Sequence, residues 1–107
     1  MTYSEITRLY LGKTRLTIRD FARQLSEVMP PSKTGRPAFS HGSIGHWKLG
    51  THEPDAYKLS LLIGRTGGDD WRHQFAVDIL TQIDPDLLQD STKLARMQEP
   101  CQGGEGV

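Results

Sequence analysis

Residues 29–39 read Met-Pro-Pro-Ser-Lys-Thr-Gly-Arg-Pro-Ala-Phe, and a run with three prolines and a glycine cannot be helical throughout. The chain must therefore carry a long irregular connection, which is unusual in so small a domain. On either side of this break, apolar residues recur at helical spacing. Before it, Thr17 is a good N-cap with Asp20 three residues on, and Ile18, Phe21, Ala22, Leu25 and Val28 form one apolar stripe. After it, Ser40 caps a short helix over 40–49, with Ile44 and Trp47 pointing inward and Gly50 as its stop. Pro54 and Asp55 open a further helix carrying Leu59, Leu62 and Ile63, broken by Gly64, Gly67 and Gly68. Asp69 or Asp70 caps another, in which Trp71, Phe75, Ile79 and Ile83 recur with Ala76 and Leu80 beside them. Asp84-Pro85 ends that helix and starts one more short turn through Leu87 and Leu88. At the amino end, Ser4 is placed to cap a first helix with Ile6, Leu9 and Tyr10 on one face, stopped by Gly12.

The pattern predicts an all-α protein, a compact bundle of about five short helices, with no strand pattern and no internal repeat. A length of 107 residues is one domain's worth, and buries a modest core only if most of the chain takes part. That domain is expected over 1–90. From about Ser91 the chain turns polar and ends Gly-Gly-Glu-Gly-Val, so 91–107 is expected to be a disordered tail. Such a tail accounts for part of the low hydrophobic content of 36%. No apolar run approaches the ~18 residues of a transmembrane helix. The single Cys101 cannot form an internal disulfide, and the polar start Met-Thr-Tyr-Ser-Glu lacks a signal-peptide core. A cytoplasmic protein without a membrane span is the expectation.

The net charge is zero, but it is unevenly laid out. Residues 1–50 carry eight Lys and Arg against three acids, a surplus of five positive charges. Residues 51–107 carry five against ten, the opposite surplus. A basic amino-terminal half hidden inside a balanced total points to a polyanion partner.

The helix at 40–49 is the informative element. A helix of two to three turns fits the major groove of DNA, provided its apolar face is held rigidly. Ile44 and Trp47 can hold it. His41, Gly42, Ser43, Gly45, His46 and Lys48 then face outward. Each of the two glycines costs about 1 kcal/mol against alanine in a helix interior. A stretch chosen for stability alone would rarely keep both, whereas a missing side chain lets the helix approach a base edge or phosphate.

Taken together, Phe21-Ala22, Ser40, Ile44, Trp47, Gly50 and Pro54 resemble the phage-repressor family of helix-turn-helix proteins, also called lambda-repressor-like or xenobiotic-response-element proteins. There, an aromatic or Leu followed by Ala sits in the scaffold helix, and Ser or Thr caps the recognition helix. Two apolar residues three apart anchor that helix, Gly ends it, and Pro follows four positions later. The resemblance covers roughly residues 4–66. It implies a lambda-repressor-like fold and readout of bases by His41, Gly42, Ser43 and His46. By the same resemblance Ser40, Thr51 and His52 lie near phosphates, Lys48 is a phosphate partner, and Arg19 reaches the backbone from the start of the scaffold helix. The chain has no Asn, so an Asn–adenine pair is ruled out.

The departure from the family is the segment between the two helices, since the usual turn is about four residues. Within it, Gly35-Arg36-Pro37 is similar to the core of an AT-hook, but Thr34 stands where such an arm carries a basic residue. A phosphate clamp made by Lys33 and Arg36 is the expectation, with minor-groove reading and an ordinary solvated loop as alternatives.

Other patterns lead nowhere. Gly12-Lys13-Thr14 is similar to the end of a P-loop but has Thr7 where the first Gly belongs. The spacings of the four histidines do not stack on one helical face, so no metal and no cofactor is expected. No nucleophile–base arrangement is legible, so an enzyme is not expected. The sequence therefore reads as a sequence-specific binder of double-stranded DNA. It is expected to be a repressor of phage, plasmid or mobile-element type, acting as a homodimer on a palindromic operator. Residues 68–90 are the candidate dimer helices. The alternatives are a protein-interaction adaptor or an antitoxin built on the same fold.

Overall fold

A computed structural model describes residues 1–30 and 32–89. The expected tail at 91–107 and Cys101 lie outside the described residues. Within them the protein is all-helical, with no strand. The helices are α1 (Tyr3–Thr14), α2 (Ile18–Glu27), α3 (His41–Leu49), α4 (Ala56–Gly64) and α5 (Trp71–Ile83). A further helical turn covers 85–89. No helix among the described residues is long and apolar enough to cross a membrane.

Each helix starts where a side chain can take up free backbone N–H groups. Thr17, Ser40, Asp55 and Asp70 cap α2 to α5. The first helix differs from expectation. Its cap is Thr2, whose hydroxyl accepts from the Glu5 N–H at 3.2 Å while the Glu5 carboxylate accepts from the Thr2 N–H at 2.8 Å. These bonds hold the Glu5 carboxyl below its usual range. Ser4 is instead buried inside the helix, and its hydroxyl donates to the Lys48 carbonyl at 3.0 Å. Gly12 does not stop α1 either. It stays helical, and Arg15 ends the helix in a left-handed conformation with φ 57°.

The core is knit by aromatic rings meeting at Phe75 of α5. Its ring lies 5.3 Å from Tyr10 of α1, 5.1 Å from Phe21 of α2 and 6.3 Å from Trp47 of α3, centroid to centroid. Ile6, Leu25, Ile44, Leu59, Leu62, Ile79 and Leu80 fill the space around them. The apolar face of α5 is thus used within the chain. Trp71, Val77, Ile83 and Leu88 are half-buried and packed against the same core.

Three cations from the second half fasten the segment that holds the proline-rich break. The Arg72 guanidinium donates to the Gln24 carbonyl at 2.8 Å, Arg65 donates to the Val28 carbonyl, and the Lys58 ammonium donates to the Ala38 carbonyl at 3.0 Å. The first two bonds supply positive charge at the carboxyl end of α2, where the helix dipole is negative. Arg72 is itself gripped by Asp70 at 2.7 Å and faces Glu27 at 3.6 Å.

The hydrogen bonds from Arg72 hold the Asp70 carboxyl below its ordinary value of 3.8. A carboxyl depressed in the folded state adds stability above its unfolded pKa, and loses it as pH falls through the folded value. Asp70→Asn keeps a capping oxygen and removes the charge. Its stability deficit against the wild type, measured by chemical denaturation, should be full above about pH 5 and shrink steadily towards pH 3. A deficit unchanged with pH would mean the pair contributes nothing through its charge.

Candidate nucleic-acid interface

The site is built on α3, and both of its ends are tied down. At the start, the Ser40 hydroxyl accepts from the Ser43 N–H at 3.1 Å. At the end, Gly50 takes a left-handed conformation, φ 77°, and donates to the carbonyls of His46 and Trp47 at 2.9 and 3.1 Å. The next carbonyl, that of Lys48, accepts from Ser4 and from the Arg8 guanidinium at 3.0 and 3.1 Å. Arg8 and Ser4 are positioning residues that the sequence did not disclose, because they act across about forty residues of chain.

The inner face of α3 is closed. Ile44 is 0% exposed and Trp47 4%, and the Trp47 ring meets Phe39 edge-on at 5.7 Å. The Ser26 hydroxyl accepts from the Phe39 N–H at 3.0 Å and lies 3.1 Å from the Phe39 carbonyl. The far end of the long connection is therefore pinned to α2 immediately before α3 begins.

The opposite face of α3 presents His41, Gly42, His46 and Lys48 to solvent, with Ser43 and Gly45 half-buried. The Ser43 hydroxyl lies 3.0 Å from that of Ser40, so it belongs to the cap as well as to the outer face. His46 Nδ1 is paired with the Thr51 hydroxyl at 2.9 Å, and its ring sits 4.4 Å from that of His52 at a steep angle. His46, Thr51 and His52 thus form one cluster, in which the bond to the Thr51 hydroxyl orients the His46 ring. Its Nε2 makes no hydrogen bond among the described residues and is free to pair with a ligand.

Arg19, Ser40 and His41 come together in a second place, a cleft of about 330 Å³ between α2 and the start of α3, which Arg23 also lines. Arg23 is engaged by Asp20 and Glu27 at 3.5 and 3.3 Å, whereas Arg19 makes no ion pair among the described residues. Lys33 and Arg36 lie on an exposed turn and line neither place. In that turn Gly35, φ 76°, donates back to the Ser32 carbonyl at 3.3 Å, and the Ser32 hydroxyl donates to the Arg36 carbonyl at 2.8 Å. The sequence pattern does not single out Leu49 and Tyr57, yet they are the most exposed large apolar residues among those described, at 72% and 65%. Tyr57 falls outside the Leu59–Leu62–Ile63 stripe, and that was the available signal.

The glycines of α3 have no internal justification. A methyl group on Gly45 would meet nothing within 4 Å, and one on Gly42 only the Ser40 hydroxyl at 3.8 Å. Gly45→Ala should therefore raise the unfolding free energy by about 1 kcal/mol. Gly50→Ala should lower it by a similar amount, because only Gly adopts the left-handed cap without strain. Loss of stability in Gly45→Ala would show that this glycine serves packing. Comparison with family models, with curated proteins and with solved structures returns no match for this chain.

Proposed function

We propose that the protein is a sequence-specific DNA-binding regulator that lays α3 in the major groove. The observation that carries this reading is an outward helical face with an exposed Gly42 and a half-buried Gly45 that packing does not require, on a helix whose other face and both ends are fixed. Rigidity of this kind gives base contacts their discrimination, since a mobile helix would lose in ordering what it gains in hydrogen bonds.

In this reading the residues of α3 and its flanks divide between bases and phosphates. His41, Gly42, Ser43 and His46 read base edges, with His46 Nε2 directed by its bond to Thr51. Arg19, Ser40, Lys48, Thr51 and His52 meet the flanking phosphates, and Lys33 and Arg36 add contacts from the exposed turn. A lambda-repressor-like helix-turn-helix arrangement, a homodimer on a palindromic operator, and repression of phage, plasmid or mobile-element genes complete the reading. One helix of this length offers few base contacts, and two copies multiply the discrimination.

A second reading is a protein-interaction adaptor or an antitoxin. The exposure of Leu49 at the end of α3 and of Tyr57 in α4, together with the zero net charge, favours it. Salt separates the two, because phosphate contacts release counterions and affinity must fall steeply with salt.

Duplexes enriched from a random pool provide the test. His41→Ala or His46→Ala should lose about 1–3 kcal/mol of preference for the enriched sequence while keeping weak general binding. Lys33→Ala or Arg36→Ala should weaken all sequences alike and flatten the salt dependence by about one counterion each. No enrichment, or a preference untouched by the histidine changes, would reject the reading. Light scattering should find two copies per operator duplex, and one copy would remove the dimer.

A further inference from the structure

A cleft of about 500 Å³ opens away from α3, between the end of α1, the residue Leu16 that follows it, α2 and the start of α5. This is a typical volume for a small-ligand site. None of its lining residues belongs to α3 or to the 29–39 connection, so the inference does not rest on the DNA reading.

Its apolar surface comes from Tyr10, Leu16 and Trp71. The Trp71 ring meets that of Phe21 at 4.9 Å in a tilted arrangement but stays half-buried, and its indole N–H makes no hydrogen bond among the described residues. Its polar rim comes from Lys13, Gln24 and Gln74. The Lys13 ammonium lies 4.9 Å from the centre of the Tyr10 ring and has no carboxylate partner among the described residues. It is held over an aromatic face with its charge uncompensated. No Asp or Glu lines the cleft. The Asp78 carboxylate accepts from the Tyr10 hydroxyl at 2.6 Å and the Gln74 amide at 3.0 Å and does not itself line the cleft.

An aromatic wall, one unpaired cation and no lining anion fit one chemistry. We infer that this cleft binds a small planar aromatic carboxylate, its ring against Trp71 and Leu16 and its carboxylate on Lys13.

The probe is 2-naphthoate, with uncharged 2-naphthamide as its control, titrated into the isotope-labelled full chain and followed by backbone amide shifts. Saturable shifts centred on Lys13, Leu16, Gln24 and Trp71 are expected. Lys13→Met keeps the apolar stem and should weaken 2-naphthoate roughly fivefold, the size of one partly exposed charged contact, while leaving 2-naphthamide unchanged. Leu16→Trp fills the cleft and should abolish binding of both, with the spectrum itself reporting that the fold is kept. The inference is overturned by linear shifts up to millimolar probe, by shifts scattered over the surface, by equal weakening of both probes in Lys13→Met, or by unchanged binding in Leu16→Trp.

Discussion

The contact between Trp47 and Phe75 sets the geometry on which everything else depends. Phe75 of α5 touches one ring each from α1, α2 and α3. Aromatic pairs of this kind add about 0.5–1.5 kcal/mol each beyond the apolar area they bury. Their larger effect here is orientation. With Trp47 fixed between Phe39 and Phe75, α3 cannot rotate about its axis without opening the core, so its glycine-containing side is held towards solvent. The same constraint commits Phe75, Ala76, Ile79 and Leu80 to intramolecular packing.

Charge is divided with similar consequences. The second half contributes Lys58, Arg65 and Arg72 to carbonyls of the segment from Gln24 to Ala38. Those cations are spent on holding a connection that its prolines prevent from folding regularly. Arg15, Arg19, Lys33, Arg36 and Lys48, all from the first half, make no ion pair among the described residues. A chain with no net charge therefore leaves these five cations without an ion-pair partner among the described residues. An attractive field for phosphate does not require a basic protein, only a basic face.

What could be read from the sequence was local. Thr17, Ser40 and Gly50 mark helix ends because capping is decided within four residues, and the structure places all three as expected. Ile44 and Trp47 point inward because their spacing leaves no other common face. The start of α1 departs from the expectation for an equally local reason: Thr2 and Glu5 form a complete capping box, but Ser4 is a good cap residue too. Only its distant partner, the Lys48 carbonyl, explains why Ser4 is inside the helix. Gly12 has the residue type of a helix stop, yet it sits on an exposed face of a helix packed against α3 and α5. The carbonyl clamps of Arg8, Lys58, Arg65 and Arg72 left no trace in the pattern, because each joins residues brought together only by the finished fold.

The most direct measurement is an amide shift map of the labelled full chain against a duplex selected from random sequence. A reading head on α3 should concentrate the perturbation on His41 to Lys48, with smaller changes at Arg19, at Thr51 and His52, and on the turn from Ser32 to Arg36. The amides of Ile79 and Leu80 should stay still. A perturbation centred on α5, or a map in which α3 does not move, would contradict the assignment of α3 as the surface that meets DNA.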